Sequence, residues 1–322
     1  MKNHKSTPPY FWKGRHADTL QYWHQKVRCV EDFNTEFTID NQCIALLGYA
    51  VDEGVRRNQG RIGASLGPDG IKSVMGSMAY HLPQDIGIHD YGNIVLEDGD
   101  LEEMHALTKR TICQLLEKGY FPIILGGGHD LSFPHGSALM DHMQHSNLKL
   151  GVLNLDAHFD LRPLTNGMTH SGSPFLQLHK YATEKNIKLK YACMGIQSAA
   201  NPKSLFELAK NHNVSWLTSD SCHLFHFDKT VDFLEEFLEE VDKVYLTIDL
   251  DGFSSAFAPG VSASSPMGFE PRFAFQVLEI LAKSGKLVSM DVVEYNPNYD
   301  IDQITAKLAA RCVEYTLRKI YE

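Results

Sequence analysis

Seven apolar, β-prone runs recur along the chain: CIALLGYAV (43–51), YFPIILGGG (120–128), LKLGVLNLDA (148–157), YACMGIQ (191–197), VSWLT (214–218), KVYLTIDLD (243–251) and KLVSMDVVEY (286–295). They are apolar almost continuously, the pattern of strands buried on both faces. Between most of them lie stretches with apolar residues at helical spacing, at 101–119, 202–213, 232–242, 270–286 and 301–321. Alternating strands and helices predict an α/β fold with a mostly parallel sheet covered on both faces. Asp100 is placed to cap the helix over 101–119, which Gly119 ends, and Pro271 and Gly285 bracket a later helix in the usual order.

Two segments, 51–67 and 159–173, are long and irregular, and such loops inside a compact fold are usually functional. No repeat, low-complexity tract or linker divides the chain. The reading is therefore a single domain over 41–322, preceded by an N-terminal extension at 1–40.

Three of the apolar runs end in residues that can bind metals. His129 follows Gly126–Gly128, Asp156, His158 and Asp160 close the run at 148–157, and Asp249 and Asp251 close the run at 243–251. In extended backbone, residues two apart point the same way, so each group is expected to present its side chains to one side. Ligands of open α/β sheets bind beyond the carboxyl ends of the strands, where all three groups fall. Four carboxylates brought together without a cation would repel one another. The set therefore predicts two divalent cations, and its oxygen-rich character suits Mn²⁺ better than Zn²⁺. Such a pair lowers the pKa of a shared water, and Asp160 is placed to accept a hydrogen bond from that nucleophile as well as to ligate.

Composition narrows the partners. The chain has 322 residues, 43% hydrophobic, with 30 basic and 40 acidic residues for a net charge of −10. No Lys/Arg-rich block is present, which argues against a nucleic acid or an anionic membrane as partner. The six cysteines include no C-x-x-C pair and read as reduced thiols of an intracellular protein. No secretory h-region or membrane-length apolar run is visible, so a cytoplasmic location is expected.

The motifs resemble those of the arginase/agmatinase (ureohydrolase) family. Gly127-Gly128-His129, Asp156-Ala157-His158-Phe159-Asp160 and Asp249-Leu250-Asp251 match its three ligand motifs, and Asp291-Val292-Val293-Glu294-Tyr295-Asn296-Pro297 matches a fourth. The resemblance implies a single arginase-like α/β/α domain, two Mn²⁺ per subunit, a homo-oligomer and hydrolysis of a C–N bond in a guanidine or amidine. Within the family the likeness is greatest to the formimidoylglutamase branch. It rests on Arg162 after the metal-binding aspartate, on the loop at 54–71 and on Gln197 in MGIQSAAN.

The implied reaction converts N-formimidoyl-L-glutamate and water to L-glutamate and formamide. Glu294 is then expected to orient the cationic amidine, and Arg162 to bind a carboxylate through both guanidinium arms. Arg57, with Arg56 and Arg61, lies in a loop that could close over an acidic substrate. The family's H-G-x-P proton-shuttle motif is displaced here: Thr169-His170-Ser171-Gly172-Ser173-Pro174 puts Ser171 in the slot and His170 one residue early. His170 is kept as the candidate general acid. Another guanidino substrate, or a non-catalytic metal-stabilised scaffold, stands as the alternative.

Overall fold

A computed structural model describes every residue except Met1, Asp32, Asn34, Glu36, 38–42, 98 and 99, together with the side chain of His226. The expected boundary between residues 40 and 41 lies outside the described residues. The strands are β1 (His4–Lys5), β2 (Val27–Cys29), β3 (Cys43–Ala50), β4 (Gly87–Val95), β5 (Tyr120–Leu125), β6 (Leu150–Leu155), β7 (Leu189–Ile196), β8 (Ser215–Thr218), β9 (Lys243–Asp249) and β10 (Leu287–Val293). The helices are α1 (Glu53–Arg57), α2 (Gly67–Met75), α3 (Leu101–Glu117), α4 (Ser132–Met143), α5 (Pro174–Lys185), α6 (Lys203–Asn211), α7 (Phe227–Glu239), α8 (Pro271–Lys283) and α9 (Ile304–Tyr321).

These strands form a single sheet in the order β1-β4-β3-β5-β10-β9-β6-β7-β8, with β2 also paired to β4. Only β1 runs antiparallel to its neighbour; the other pairings are parallel. Helices α2, α7, α8 and α9 pack on one face and α3, α4, α5 and α6 on the other, giving three layers with two apolar cores. Alternate residues of each buried strand feed the two cores: Ile44 and Leu46 of β3 enter one, Ala45 and Leu47 the other. Among the described residues, no helix is long and apolar enough to cross a membrane.

Helix ends follow the predicted punctuation. The Asp100 carboxylate accepts the Glu103 N–H at 2.9 Å, and Gly119 and Gly285 take the left-handed conformation at φ 82° and 68°. The irregular segment at 51–67 holds more order than expected, with α1, a 3₁₀ turn at Ala64–Leu66 and the first residue of α2. Asp52 organises it by accepting from the N–H groups of Gly63 and Ser65 at 2.7 and 3.3 Å.

Strand β4, GIHDYGNIV, has no counterpart among the seven apolar runs because three polar side chains interrupt it. Those side chains are satisfied from elsewhere in the fold. The buried Lys72 ammonium of α2 donates to Asp90 at 2.7 Å, to Asn93 at 2.9 Å and to Thr7 at 2.8 Å. Trp12 donates its indole N–H to the second Asp90 oxygen at 2.9 Å. The N-terminal segment is thus woven into the sheet through β1, β2, Thr7 and Trp12.

The chain leaves β5 and resumes at β6, and β10 and β9 later fill the gap between them. The carboxyl ends of these four central strands meet where the topology changes direction, the usual place for a crevice. Away from that crevice, the Lys72–Asp90 pair yields a stability prediction. Asp90→Ala leaves a fully buried ammonium without its anion, and chemical denaturation should show a loss of about 3–5 kcal/mol. Unchanged stability would mean that the pair is not held as described.

Candidate metal centre

Local backbone geometry aims the ligand groups. After β5, the Gly126 N–H donates to Val292 O at 2.8 Å and the Gly128 N–H to Val51 O at 3.0 Å. A Cβ on Gly127 would lie 2.0 Å from Val51 O, so no side chain fits where the chain turns toward His129. The expected extended arrangement of Asp156, His158 and Asp160 is corrected by the structure. Strand β6 ends at Leu155, the chain bends, and Asp160 takes a left-handed φ of 46°. The bend is held by the His158 N–H, which donates to Asp156 Oδ1 at 2.7 Å. A similar turn forms where the Asp251 N–H donates to Asp249 Oδ1 at 2.9 Å.

The six side chains converge as two adjoining pockets that share Asp156. His129 Nδ1 lies 3.3 Å from Asp156 Oδ2, 3.0 Å from Asp160 Oδ2 and 3.0 Å from Asp249 Oδ2. His158 Nδ1 lies 3.4 Å from Asp156 Oδ1 and 3.2 Å from Asp251 Oδ2. Buried His129 Nδ1 and Asp251 Oδ1 make no protein hydrogen bond. A nitrogen lone pair aimed among three carboxylates, in a set of two imidazoles and four carboxylates, fits a pair of divalent cations. Glu294 stands beside the first pocket at φ 66°, where its Oε1 accepts the His129 N–H at 2.9 Å. Left-handed backbone at both Asp160 and Glu294 is costly for residues with side chains and concentrates at functional sites.

Electrostatics sharpen the picture. Burial and the charges of Asp251 and Asp156 push the Asp249 carboxyl well above its ordinary range. Burial likewise raises Asp251, with Asp156 and Asp160 adding to the shift. Burial takes Glu294 up to about 8, against the opposing hydrogen bond from the His129 N–H. Asp156 is held low despite its burial, because both imidazoles face it. Burial alone would lower the two histidines, but the surrounding carboxylates win and raise both well above the ordinary value.

The remaining candidates separate clearly. A cleft of about 750 Å³ opens over the cluster, lined by His158, Asp160, Asp249, Asp251 and Glu294 and walled by Arg162, His170 and Ser171. Arg162 lies against Gly172, where a Cβ would sit 3.0 Å from its Cδ. Among the described residues its guanidinium meets no hydrogen-bond or ion-pair partner, while its backbone N–H donates to Gly172 O at 2.8 Å.

Arg57 is placed elsewhere. Its guanidinium pairs with Glu102 at 2.6 Å and Glu53 at 3.0 Å and does not line the cleft, so its charge is already neutralised. Arg56 is exposed and paired with Glu53. Arg61 does line the cleft, but it donates to Val261 O and Ser262 O and stacks 3.8 Å over Tyr299. Gln197 accepts from Ser265 at 2.8 Å, away from the cleft lining.

His170 lines the cleft, but both of its ring nitrogens face backbone groups. Its Nδ1 accepts the Gly172 N–H at 3.2 Å, which leaves the proton on Nε2, and Nε2 donates to Pro163 O at 3.0 Å. Both nitrogens are occupied in clasping the loop over 163–172. Ser171 accepts from the Asn58 amide at 3.1 Å, and both residues line the cleft.

Residues supporting the ligands were not singled out from the sequence. The Asn154 amide donates to Asp156 Oδ2 at 2.9 Å, and His129 Nε2 meets Thr247 Oγ1 at 3.0 Å. The available signal was polar residues at two-residue spacing inside otherwise apolar runs: Asn154 before Asp156, and Tyr245 and Thr247 before Asp249.

Comparison with known proteins places this geometry in context. The profile of the arginase family matches residues 42–318. The chain is 34% identical to the formimidoylglutamase of Clostridium tetani over 333 residues, covering 99% of this chain and 98% of that protein. It is 37% identical to the formimidoylglutamase of Rhodococcus opacus over 316 residues, covering 97% and 96% respectively. Among solved structures, formimidoylglutamase from Bacillus subtilis superposes with a TM-score of 0.83 at 20% identity, over 96% of this chain and 94% of that one. Formiminoglutamase from Trypanosoma cruzi, solved with Mn²⁺, gives a TM-score of 0.76 at 24% identity, over 90% and 96%. At these identities the two structures speak for the fold.

The raised histidine and Glu294 values generate a pH prediction. Near neutral pH, the metal-free cluster holds protons on His129 and His158, whose lone pairs a cation needs, so binding must release protons. Divalent-cation affinity should rise as pH increases through neutrality and fall as it decreases. Calorimetry of Mn²⁺ binding in buffers of different ionisation enthalpy should detect the released protons. Pure carboxylate binding with no proton release would contradict the two-pocket assignment.

Proposed function

The chain belongs to the arginase family, and on that premise we propose that it hydrolyses N-formimidoyl-L-glutamate to L-glutamate and formamide. The observation that carries this reading is one cleft with candidate metal ligands and Glu294 in its floor and, in its wall, Arg162, whose guanidinium has no ion-pair partner among the described residues. That arrangement matches a molecule with a cationic amidine at one end and carboxylates at the other. Curated relatives at 34% and 37% identity over nearly the full chain bear the name of this activity. We assign two Mn²⁺ to the centre, supported by the oxygen-rich donor set and by the Mn²⁺ of the related Trypanosoma cruzi enzyme.

When bound, the two cations supply a nucleophilic water at neutral pH and stabilise negative charge developing in the transition state. The protein's own groups do the rest. Glu294 Oε1 is fixed by the His129 N–H, so the other carboxylate oxygen is available to hydrogen-bond the amidine and hold its carbon over the cluster. Arg162 holds a substrate carboxylate and thereby sets which end of the molecule points down.

Water adds to the amidine carbon, the bond from that carbon to the glutamate nitrogen breaks, and the departing nitrogen takes a proton. Asp160 is assigned to accept the proton of the attacking water. Its side chain is 13% exposed, against 0% for Asp156 and 3% for Asp249 in the same pocket, so it is the most open of the three toward the cleft. With His170 occupied by backbone groups, Asp160 is also the group placed to return that proton to the leaving amine.

Three measurements test the assignment. The Mn²⁺-loaded protein should release formamide from N-formimidoyl-L-glutamate and little urea from arginine; preferential urea release would reassign the substrate within the family. Arg162→Met should raise KM roughly 10–100-fold, the worth of a charge-assisted hydrogen bond, with a smaller change in kcat. An unaltered KM would remove Arg162 from substrate binding. Asp251→Asn should lower metal occupancy and abolish turnover while leaving the chain folded.

A further inference from the structure

Beneath the metal centre, a line of polar side chains crosses the core between β9, β10 and α4. His129 Nε2 is 3.0 Å from Thr247 Oγ1, which is 3.3 Å from Ser132 Oγ, which is 3.0 Å from the Tyr245 hydroxyl. Tyr245 donates to Asp291, and Asp291 also accepts from His135 Nδ1 at 2.8 Å. His135 Nε2 then meets Ser289 Oγ at 2.7 Å. Every one of these residues is buried, none more than 1% exposed, and none lines the cleft.

Polar groups at such depth stabilise a fold less than well-packed apolar residues of the same size, so their presence calls for a role. The ends of the line supply one. His129 Nδ1 points among three carboxylates, and to ligate there it must offer a lone pair. The ring proton then sits on Nε2 and needs an acceptor, which is Thr247. At the far end Asp291 is an acceptor for two donors. A donor at one end and a carboxylate at the other let each hydroxyl between them accept on one side and donate on the other.

We propose that the Asp291–His135 pair, which touches no candidate metal ligand, acts through Tyr245, Ser132 and Thr247 to hold His129 in the tautomer and orientation that cation binding requires. These are positioning residues, and the inference rests on the metal-centre reading without depending on the identity of the substrate. Hydrogen bonds of this kind to ligating histidines are worth about 10–100-fold in metal affinity.

The test is Mn²⁺ affinity measured by calorimetry on metal-depleted protein. Tyr245→Phe cuts the line while keeping the ring, and Thr247→Val removes the acceptor of the His129 proton. Each should weaken Mn²⁺ binding about tenfold or more. Thr247→Ser, which restores the hydroxyl, should bind nearly as the parent does. Tyr91→Phe is the control for loss of any buried hydroxyl, because Tyr91 bonds Tyr120 far from the centre at 3.1 Å; it should leave affinity unchanged. Wild-type affinity in Tyr245→Phe, or equal weakening in Tyr91→Phe, overturns the proposal. A parent protein that binds no Mn²⁺ would instead overturn the metal-centre reading, and this inference with it.

Discussion

Like charges forced together out of water dominate this molecule. Asp156, Asp160, Asp249 and Asp251 meet at the ends of two neighbouring strands, with Glu294 beside them, and most of that carboxylate surface is buried. Removing several anions from water costs several kcal/mol each unless positive charge is brought to them. The two imidazoles answer part of this demand, and they can do so only as cations, a form that forbids ligation. The centre is therefore poised between holding protons and holding metal, and the surrounding structure is arranged to favour metal.

That arrangement is built from backbone as much as from side chains. Gly127 lets the β5 end pass against Val51, and left-handed Asp160 and Glu294 turn their carboxylates inward. The turns at Asp156 and Asp249 tie one carboxylate oxygen of each to a backbone N–H, which fixes where the other oxygen points. Loops complete the enclosure. His170 clasps Pro163 and Gly172, Arg57 pins α1 to Glu102, and Asn296 holds the backbone of Arg61 and Ile62 through its amide. Arg162 is left with its charge unspent above the cluster.

Comparing residues shows why some roles were legible and others were not. The six candidate ligands that the fold brings together could be read from the chain because each closes an apolar run, and strand ends are where α/β folds place their sites. The same logic found the β3, β5, β6, β7, β8, β9 and β10 strands. It missed β4, whose polar residues are satisfied by Lys72 and Trp12 from distant positions. It did not foresee that Arg57 pairs with Glu102 away from the cleft or that the His170 ring meets the Pro163 carbonyl, since these partners meet only through the fold.

What the linear order of residues determined, then, was the layered α/β/α plan and the candidate ligand set. Both depend on local periodicity and on the chemistry of side chains at strand ends. Tertiary structure alone decided how the candidate ligands divide between two pockets, that Arg162 rather than Arg57 lines the cleft, and that His129 meets a buried line of hydroxyls ending at Asp291. Those outcomes depend on which groups meet across the sheet. Hydrogen bonds and ion pairs act over a few ångströms of space, however far apart their partners lie along the chain.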